Sequence, residues 1–425
     1  MKDSGIEWIG EIPEDWFTIR CKYIAETYTG NSIKDGEKCD FEDSTDALPY
    51  ISTKNINSIT YLIDKSDILY IKQDDLRFVR ASKGDTLMCI EGGSAGKKKT
   101  YLHECVCFVN KLCCFHPVSI NSKFLYYILH SPHYESEFDL NLSGLIGGVS
   151  RSKLNNFILP FPSKDTQQRI ADYLDKKCAA VDRLMENQRL QIEKLKEYKQ
   201  SLITEAVTKG LDKTVPLKSS GVEWIGDIPE GWKVCRIKDL FELRNERNYE
   251  ELSKVNLISL YTELGVMQHS DIEETTGNKA VKAEGYKLVY KDDIVVNIIL
   301  CWMGAVGKSN YNGVTSPAYD VYKPNLKASS DYYHYLFRTT QFNGECYRYG
   351  RGIMMMRWRT YSSEFRAISV PCPPLSEQQQ IAEYLDKKCA EIDGLISIKQ
   401  QKIEKLTEYK KSLIYEYVTG KKQVG

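Results

Sequence analysis

A 42-residue stretch occurs twice in this chain. Gln167–Thr208 returns 211 residues later as Gln378–Thr419, and 26 of the 42 aligned positions are identical. Each copy carries two interleaved, mostly apolar series with a spacing of seven. In the first copy they are Cys178, Met185, Ile192, Lys199 and Ala206, with Leu174, Val181, Gln188, Leu195 and Leu202. In the second they are Cys389, Ile396, Ile403, Lys410 and Tyr417, with Leu385, Ile392, Lys399, Leu406 and Leu413. A 3.5-residue apolar spacing winds a stripe around a helix and requires a partner helix. No Pro or Gly interrupts the first copy, and only Gly394 interrupts the second. At 1.5 Å rise per residue each helix would run roughly 60 Å. Two separate coiled-coil segments are one arrangement. The economical one pairs the two copies with each other, since each supplies the seam that the other lacks. Lys199, Lys410, Gln188 and Lys399 are polar seam positions, which lower stability but fix register.

A shorter stretch also repeats. SGIEWIGEIPEDW (Ser4–Trp16) recurs as SGVEWIGDIPEGW (Ser220–Trp232). The chain is therefore a tandem of two units. Each has a Trp-containing opening, a variable region of about 150 residues, a Pro-marked exit and a heptad helix. The expected divisions are residues 1–163, the helix 164–210, a linker 211–219, residues 220–375 and the helix 376–425. Proline stops the strand before each helix. Ser163 and Ser376 are expected as helix caps, with Asp165 and Glu377 at the positive helix end.

The variable regions share a layout. The first shows strand patterns at Leu48–Ser52, Ile68–Ile71, Asp85–Ile90 and Cys105–Val109, then a helix at Ser122–His130. The second shows strands at Val255–Leu260, Lys287–Tyr290 and Asp293–Ile299, then a helix at Ser330–Thr339. Strands first and a helix late predict a compact α/β (α+β) domain in each half.

Composition bounds the function classes. At 425 residues the chain exceeds a single core, so two or three domains are expected. The 58 basic and 58 acidic residues balance, so any nucleic-acid partner needs a local basic face. The sequence starts without the apolar run of a secretory signal and lacks a stretch of about 18 apolar residues, so no membrane association is expected. Thirteen Cys without export read as free thiols in a reducing cytoplasm.

Motifs for chemistry are weak. GAVGKS (Gly304–Ser309) ends like a phosphate-binding loop, but Trp302 stands where that loop needs glycine. SPAY (Ser316–Tyr319) faintly resembles a base-gripping methyltransferase loop but lacks its third-position proline. A tight turn before a strand is the stronger reading. His103, Cys105, Cys107, Cys113, Cys114 and His116 cluster within 14 residues. Their Cys-x-Cys and Cys-Cys spacings differ from ordinary zinc pairs, although zinc stays open here. The six His stand in no catalytic spacing with Ser, Cys or Asp. No metal or catalytic residue is assigned.

Binding is what remains. A Gly-rich turn follows the last strong strand of each variable region, and a second Gly/basic stretch precedes each exit. The first region offers Gly92, Gly93, Ser94 and Gly96 with Lys97, Lys98 and Lys99, then Ser150, Arg151 and Lys153. The second offers Lys308 and Ser309, then Arg348, Arg351, Arg357 and Arg359 among Tyr347, Tyr349, Trp358 and Tyr361. Arg takes a guanine edge bidentately, Lys and backbone N–H groups grip phosphates, and Gly lets backbone approach closely. A charge run is often only a solvated face. Coincidence of Gly and basic residues at matching places in both halves favours DNA.

The tandem W-I-G-x-I-P-x-x-W openings, the Q-Q-x-I-A-x-Y-L-D exits and the E-K-L-x-E-Y-K-x-S-L-I helices resemble the specificity subunit of type I restriction–modification systems. The resemblance covers nearly the whole chain. It implies two target-recognition domains, Ser4–Pro162 and Ser220–Pro374, each reading one half of a split double-stranded DNA site. It implies antiparallel helices that form a pseudo-twofold spacer and dock two methyltransferase (modification) subunits. It also implies no catalysis and no cofactor of the chain's own. S-adenosylmethionine would belong to the modification subunits, and ATP with Mg to the restriction subunits. Recognition domains diverge, so base contacts transfer only by loop position: Gly92–Lys99, Gly147–Lys153, Gly304–Ser309 and Arg348–Arg359. The rival readings are a coiled-coil scaffold with two protein-binding heads and a self-contained methyltransferase or nuclease.

Overall fold

In the computed structural model, residues 1–34, 46–144, 147–262, 264–271, 283–352 and 358–424 are described. They divide into two compact units, Met1–Leu190 with Lys399–Gly425, and Gln191–Ile398. The division follows from the heptads. Helix α4 spans Lys164–Lys209 and helix α8 spans Leu375–Val418, and each unit contains one half of each.

Within the first unit Leu174, Cys178, Val181 and Met185 of α4 are buried, as are Ile403, Leu413 and Tyr417 of α8. Leu406 is half-buried. Within the second, Ile192 and Ala206 of α4 are buried with Leu385, Cys389 and Ile392 of α8, and Leu195 and Leu202 are half-buried. The pairing is antiparallel. In the first unit Tyr173 meets Tyr417 at 4.5 Å while Lys410 meets Asp182 at 2.7 Å. In the second, the equivalent Lys199 meets Asp393 at 2.7 Å. Both lysine–aspartate pairs are 211 residues apart in the repeat, so one rule sets the register twice. Exposed pairs of this kind contribute less than about 1 kcal/mol; their effect is on register.

The α4 cap is Ser163, whose Oγ accepts from the Thr166 amide at 3.3 Å. The α8 cap is not Ser376. The helix begins one residue earlier, because the Pro374 carbonyl accepts from the Glu377 and Gln378 amides at 2.9 and 3.0 Å. This places Ser376 inside the first turn and frees the Glu377 carboxylate to accept from Trp232 Nε1 at 2.9 Å.

Each unit holds a four-stranded antiparallel sheet of the same topology. In the first the strands are β1 (Ala25–Thr29), β2 (Thr86–Cys89), β3 (Lys99–Tyr101) and β4 (Leu112–Pro117), in the order β1-β4-β2-β3. In the second they are β5 (Phe241–Leu243), β6 (Ile294–Asn297), β7 (Val306–Lys308) and β8 (Tyr319–Pro324), in the order β5-β8-β6-β7. The first unit adds a second four-stranded sheet that contains Ala47–Ile51, Leu69–Lys72, Arg80–Ala81 and Val106–Phe108. Short helices follow: α1 (Ser122–Leu129), α2 (Pro132–Leu140) and α3 (Arg151–Asn156) in the first unit. Their counterparts in the second are α5 (Ser330–Leu336), α6 (Thr340–Tyr349) and α7 (Ser362–Ala367). The opening and exit of each domain pair as strands, Phe17–Arg20 with Ile158–Phe161 and Lys233–Arg236 with Ser369–Cys372. That pairing closes each domain on itself and explains why both segments repeat.

A third repeat, offset by 208, lies in the turn before β2 and β6. Gly84 (φ 95°) precedes Asp85, and Asp292 (φ 70°) precedes Asp293. Asp85 accepts from the Ser82 amide at 2.7 Å and meets His116 at 2.7 Å. Asp293 accepts from the Tyr290 amide at 2.8 Å and takes Arg244 on both oxygens, at 2.8 and 3.0 Å. His116 is thus bound to a carboxylate in the sheet. Cys107, Cys113 and Cys114 lie in three different hydrophobic clusters. Burial pushes the Cys107 thiol up to about 11 and Cys113 to about 12, away from the thiolate that a metal binds. Among the described residues no three His, Cys, Asp or Glu side chains gather as a metal site. Among the described residues no helix is long and apolar enough to cross a membrane.

Two glycines in or beside α8 test this packing in opposite directions. At Gly420 (φ 72°) a Cβ would meet the Pro13 ring at 2.5 Å, whereas at Gly394 it would meet nothing. Gly420→Ala is expected to cost about 1–3 kcal/mol through strain. Gly394→Ala is expected to gain about 0.5–1 kcal/mol. Urea denaturation of the two variants checks both signs.

Candidate nucleic-acid interface

The two candidate loops of the first unit are far apart in sequence but joined in the fold. The turn after β2 and the stretch before α3 share backbone bonds. The Gly92 amide donates to the Gly147 carbonyl at 2.8 Å, and the Val149 amide to the Ile90 carbonyl at 3.0 Å. The second unit repeats the junction, with the Thr360 amide donating to the Ile298 carbonyl at 2.8 Å. Its flanks pack as well. Trp302 meets Tyr347 edge-on at 5.8 Å, and Gly304 lies against Asn343. Arg351 and Arg359 exchange backbone bonds of 2.9 Å in both directions, which closes the base of the arginine loop. Arg357 lies outside the described residues.

The side chains sort into three groups. Gly93, Lys97, Ser150, Arg151 and Lys153 are exposed in the first unit, as are Arg348, Arg351 and Arg359 in the second. Ser150 caps α3 by accepting from the Lys153 amide at 3.3 Å; Arg151 is the first residue of that helix. Lys153 Nζ donates to the Asn141 carbonyl at 3.1 Å. Arg348 pairs with Glu345 at 2.6 Å and Arg351 with Glu364 at 2.9 Å. Hydrogen bonding to Glu345 holds the Arg348 guanidinium above its usual value.

A second group is half-buried. Gly92 and Ser94 line the turn, and Lys98 Nζ donates to the Thr53 carbonyl at 2.7 Å. A Cβ on Gly92, Gly93 or Gly147 would meet nothing within 4 Å, so these backbones are open to close approach.

The third group is buried or, for Lys308, half-buried and engaged in ion pairs. Lys99 is 0 % exposed, and its ammonium donates to the Leu129 carbonyl at 2.6 Å and to Glu135 at 2.8 Å. Desolvation lowers its pKa, opposed by Glu135. Ser309 is fully buried and donates to the Tyr311 carbonyl at 2.8 Å. Lys308 is bound to Asp331 and lies 3.6 Å from Asp292. Gly96 is glycine because Phe138 would sit 2.7 Å from a Cβ. These four shape the strand that follows the turn and present nothing to a ligand as placed. GAVGKS accordingly begins at Gly304, the cap that ends the 3-10 turn Cys301–Met303, and runs into β7, with no helix for a phosphate. SPAY is a turn closed by the Tyr319 amide on the Ser316 carbonyl at 3.0 Å.

Alternation would have flagged Lys99. In β3 it stands opposite Met88 of the central strand, and it points inward with Met88 buried too. The paired carboxylate turns at Asp85 and Asp293 are not legible in the sequence because only two residues of each, Lys83 with Lys291 and Asp85 with Asp293, are shared.

Comparison with known proteins agrees with this geometry. The family model for the type I restriction modification DNA specificity domain matches residues 13–194 and again 229–408. A putative type I restriction enzyme MjaX specificity subunit from Methanocaldococcus jannaschii is 25% identical over 98% of this chain and 96% of its own. The type I restriction enzyme EcoDI specificity subunit from Escherichia coli is 21% identical, covering 91% and 84%. A chain from a type I R-M system, solved in a study of complex assembly and conformational transition, aligns with a TM-score of 0.70 at 12% identity, covering 96% and 98%. The HsdS subunit from Thermoanaerobacter tengcongensis aligns with a TM-score of 0.51 at 14% identity and the same coverage.

The surface and core groups separate by experiment. Lys99→Ala is expected to lower the unfolding midpoint, because it leaves Glu135 and a carbonyl without a partner at a cost of about 1–3 kcal/mol. Arg151→Ala is expected to leave the midpoint unchanged and to weaken DNA binding. Thermal melts and gel-shift titrations of both variants distinguish the roles. On its doubled specificity domain, set on the same sheet and the same loop junction in both units, the chain belongs to the type I restriction–modification DNA specificity family.

Proposed function

We propose that the chain is the DNA-reading subunit of a type I restriction–modification complex. Residues 1–163 and 220–375 each read one half of a split double-stranded site. The observation that carries this is the repeated loop junction. The same two loops meet after the same central strand in both units, yet display different basic side chains. A single scaffold then reads two different half-sites. Exposed Arg and Lys supply phosphate and base contacts, and the open glycines admit the sugar–phosphate backbone.

The chain performs no catalysis itself. Two modification subunits, which use S-adenosylmethionine, and restriction subunits, which use ATP with Mg, supply the chemistry. The complex acts in the cytoplasm on adenines within the site. The helix pair is the spacer: α4 and α8 contain 46 and 44 residues, and their length sets the gap between half-sites. A polar seam with matched Lys–Asp pairs suits that task, because a ruler needs one register.

Inserting one heptad in both helices is expected to lengthen the tolerated spacer and leave both half-sites unchanged. Methylation mapping with the variant in a reconstituted complex reads this; an unchanged spacer overturns the ruler. Arg351→Ala is expected to relax recognition of one half-site only, by about 1–3 kcal/mol. Equal weakening on all sequences makes Arg351 a phosphate contact, and no change at all removes it from the interface.

A further inference from the structure

DNA reading leaves unused a cavity of about 550 Å³ in the first unit, lined by α1, residues 58–62 and the helix pair. That volume falls within the range of small-molecule sites. One of its walls is His130, which is 6% exposed. His130 Nδ1 lies 2.9 Å from the Tyr126 carbonyl. A carbonyl only accepts, so Nδ1 carries the proton and Nε2 is an acceptor. Burial, aided by the charge of Lys99, holds the ring neutral. Nε2 is buried and has no hydrogen-bond partner; buried polar atoms are nearly always paired.

Tyr61 adds a second, independent observation. It is a non-glycine residue at φ 59°, and its ring meets His130 edge-on at 4.5 Å. Backbone strain of this kind collects at ligand sites. Tyr126 stands 4.1 Å from His130 and 5.8 Å from Tyr101, so the walls are aromatic. The carboxylates of the lining are already engaged. Asp175 accepts from Tyr127 at 2.6 Å, Asp182 pairs with Lys410 at 2.7 Å, and Glu135 pairs with Lys99 at 2.8 Å. Exposed Lys411 adds a further cation to the lining.

The second unit provides an internal comparison. By strand register and helix position, Arg338 replaces His130, Lys308 replaces Tyr101 and Asp331 replaces Lys123. There the polar groups satisfy one another. Arg338 donates to the carbonyls of Thr262 at 2.9 Å and Val306 at 3.2 Å, Lys308 pairs with Asp331, and the Lys308 amide donates to His334 Nδ1 at 3.1 Å. The first unit keeps an orphan acceptor at the same place.

We propose that this cavity binds a nucleotide-class ligand. Its planar nitrogen heterocycle donates an N–H to His130 Nε2 and lies against Tyr126, and its phosphate faces Lys411. Release of the strained Tyr61 turn exposes the imidazole nitrogen.

Isothermal titration of the full chain with AMP and GMP, with adenosine and inorganic phosphate as separate arms, tests the proposal. One AMP or GMP per chain is expected, bound more tightly than either adenosine or phosphate. Ala179→Trp, from an exposed α4 position that lines the cavity, and Lys411→Glu are each expected to weaken it at least about tenfold. Both positions are exposed, so the melting temperature should not move. His130→Phe should weaken it too. Absence of binding by both nucleotides overturns the proposal. So does an affinity that survives Ala179→Trp and Lys411→Glu, or phosphate alone binding as tightly as the nucleotides. DNA gel shifts on the same samples are read separately, so failure here leaves DNA reading standing.

Discussion

Two buried glutamines, one in each unit, attach the recognition domains to the long helices. Gln167 accepts from the Asn121 amide at 2.8 Å and donates to the Pro162 carbonyl at 2.9 Å. Gln378 accepts from the Ser329 amide at 2.8 Å and donates to the Pro373 carbonyl at 2.9 Å. Both are 0% exposed. An amide that gives and receives at once ties the start of α1 or α5 to the exit proline before the long helix. Deleting one leaves two backbone groups unpaired in the core, a penalty of about 1–3 kcal/mol each. A second tie lies two turns further on, where Tyr127 and Tyr335 donate to Asp175 and Asp386, both at 2.6 Å. Everything that varies between the two recognition domains is carried on these invariant attachments.

That division explains what could be read from the chain. The heptads, the opening motif and the exits are legible because they repeat at one offset and obey a helical or turn rule. Most strand and helix patterns are legible as well; the structure places strands Thr86–Cys89 and Ile294–Asn297 and helix Ser122–Leu129 inside the expected windows. The loop junction was not, because backbone bonds between Gly92 and Gly147 leave no trace in side-chain identity. Lys99 was misleading for a related reason. A lysine after glycines reads as solvent-facing, yet the strand alternation turns it inward, where Glu135 and the Leu129 carbonyl hold its ammonium. The cysteine cluster dissolves likewise, since adjacent residues of a strand face different cores: Cys113 packs in one cluster and Cys114 in another.

The two units also show how one backbone tolerates exchanged chemistry. The buried carboxylate before the central strand is constant, but its partner is His116 in one sheet and Arg244 in the other. Tyr101 carries the Lys123 ammonium 4.1 Å from its ring; the equivalent pair in the second unit is Lys308 with Asp331. A cation–π contact and an ion pair occupy the same place. Divergence has proceeded through compensating pairs, which keeps the sheet and loop junction fixed while the displayed surface changes.

The helix seam obeys the opposite rule. Lys199–Asp393 and Lys410–Asp182 are the same pair met twice, and no compensating exchange separates them. Leu, Ile and Val along a heptad tolerate a slip of one repeat, because each apolar knob finds an equivalent hole. A lysine with one matching aspartate does not: a slip of seven residues one way sets Lys199 and Lys410 against Gln400 and Arg189, and the other way against Asp386 and Asp175, which already accept from Tyr335 and Tyr127. The identity of these pairs is therefore what a fixed helix length requires, and the freedom of the recognition domains is what a changing target requires. Between the two repeats the polar pairs on the helices stay the same, while those on the sheets are exchanged.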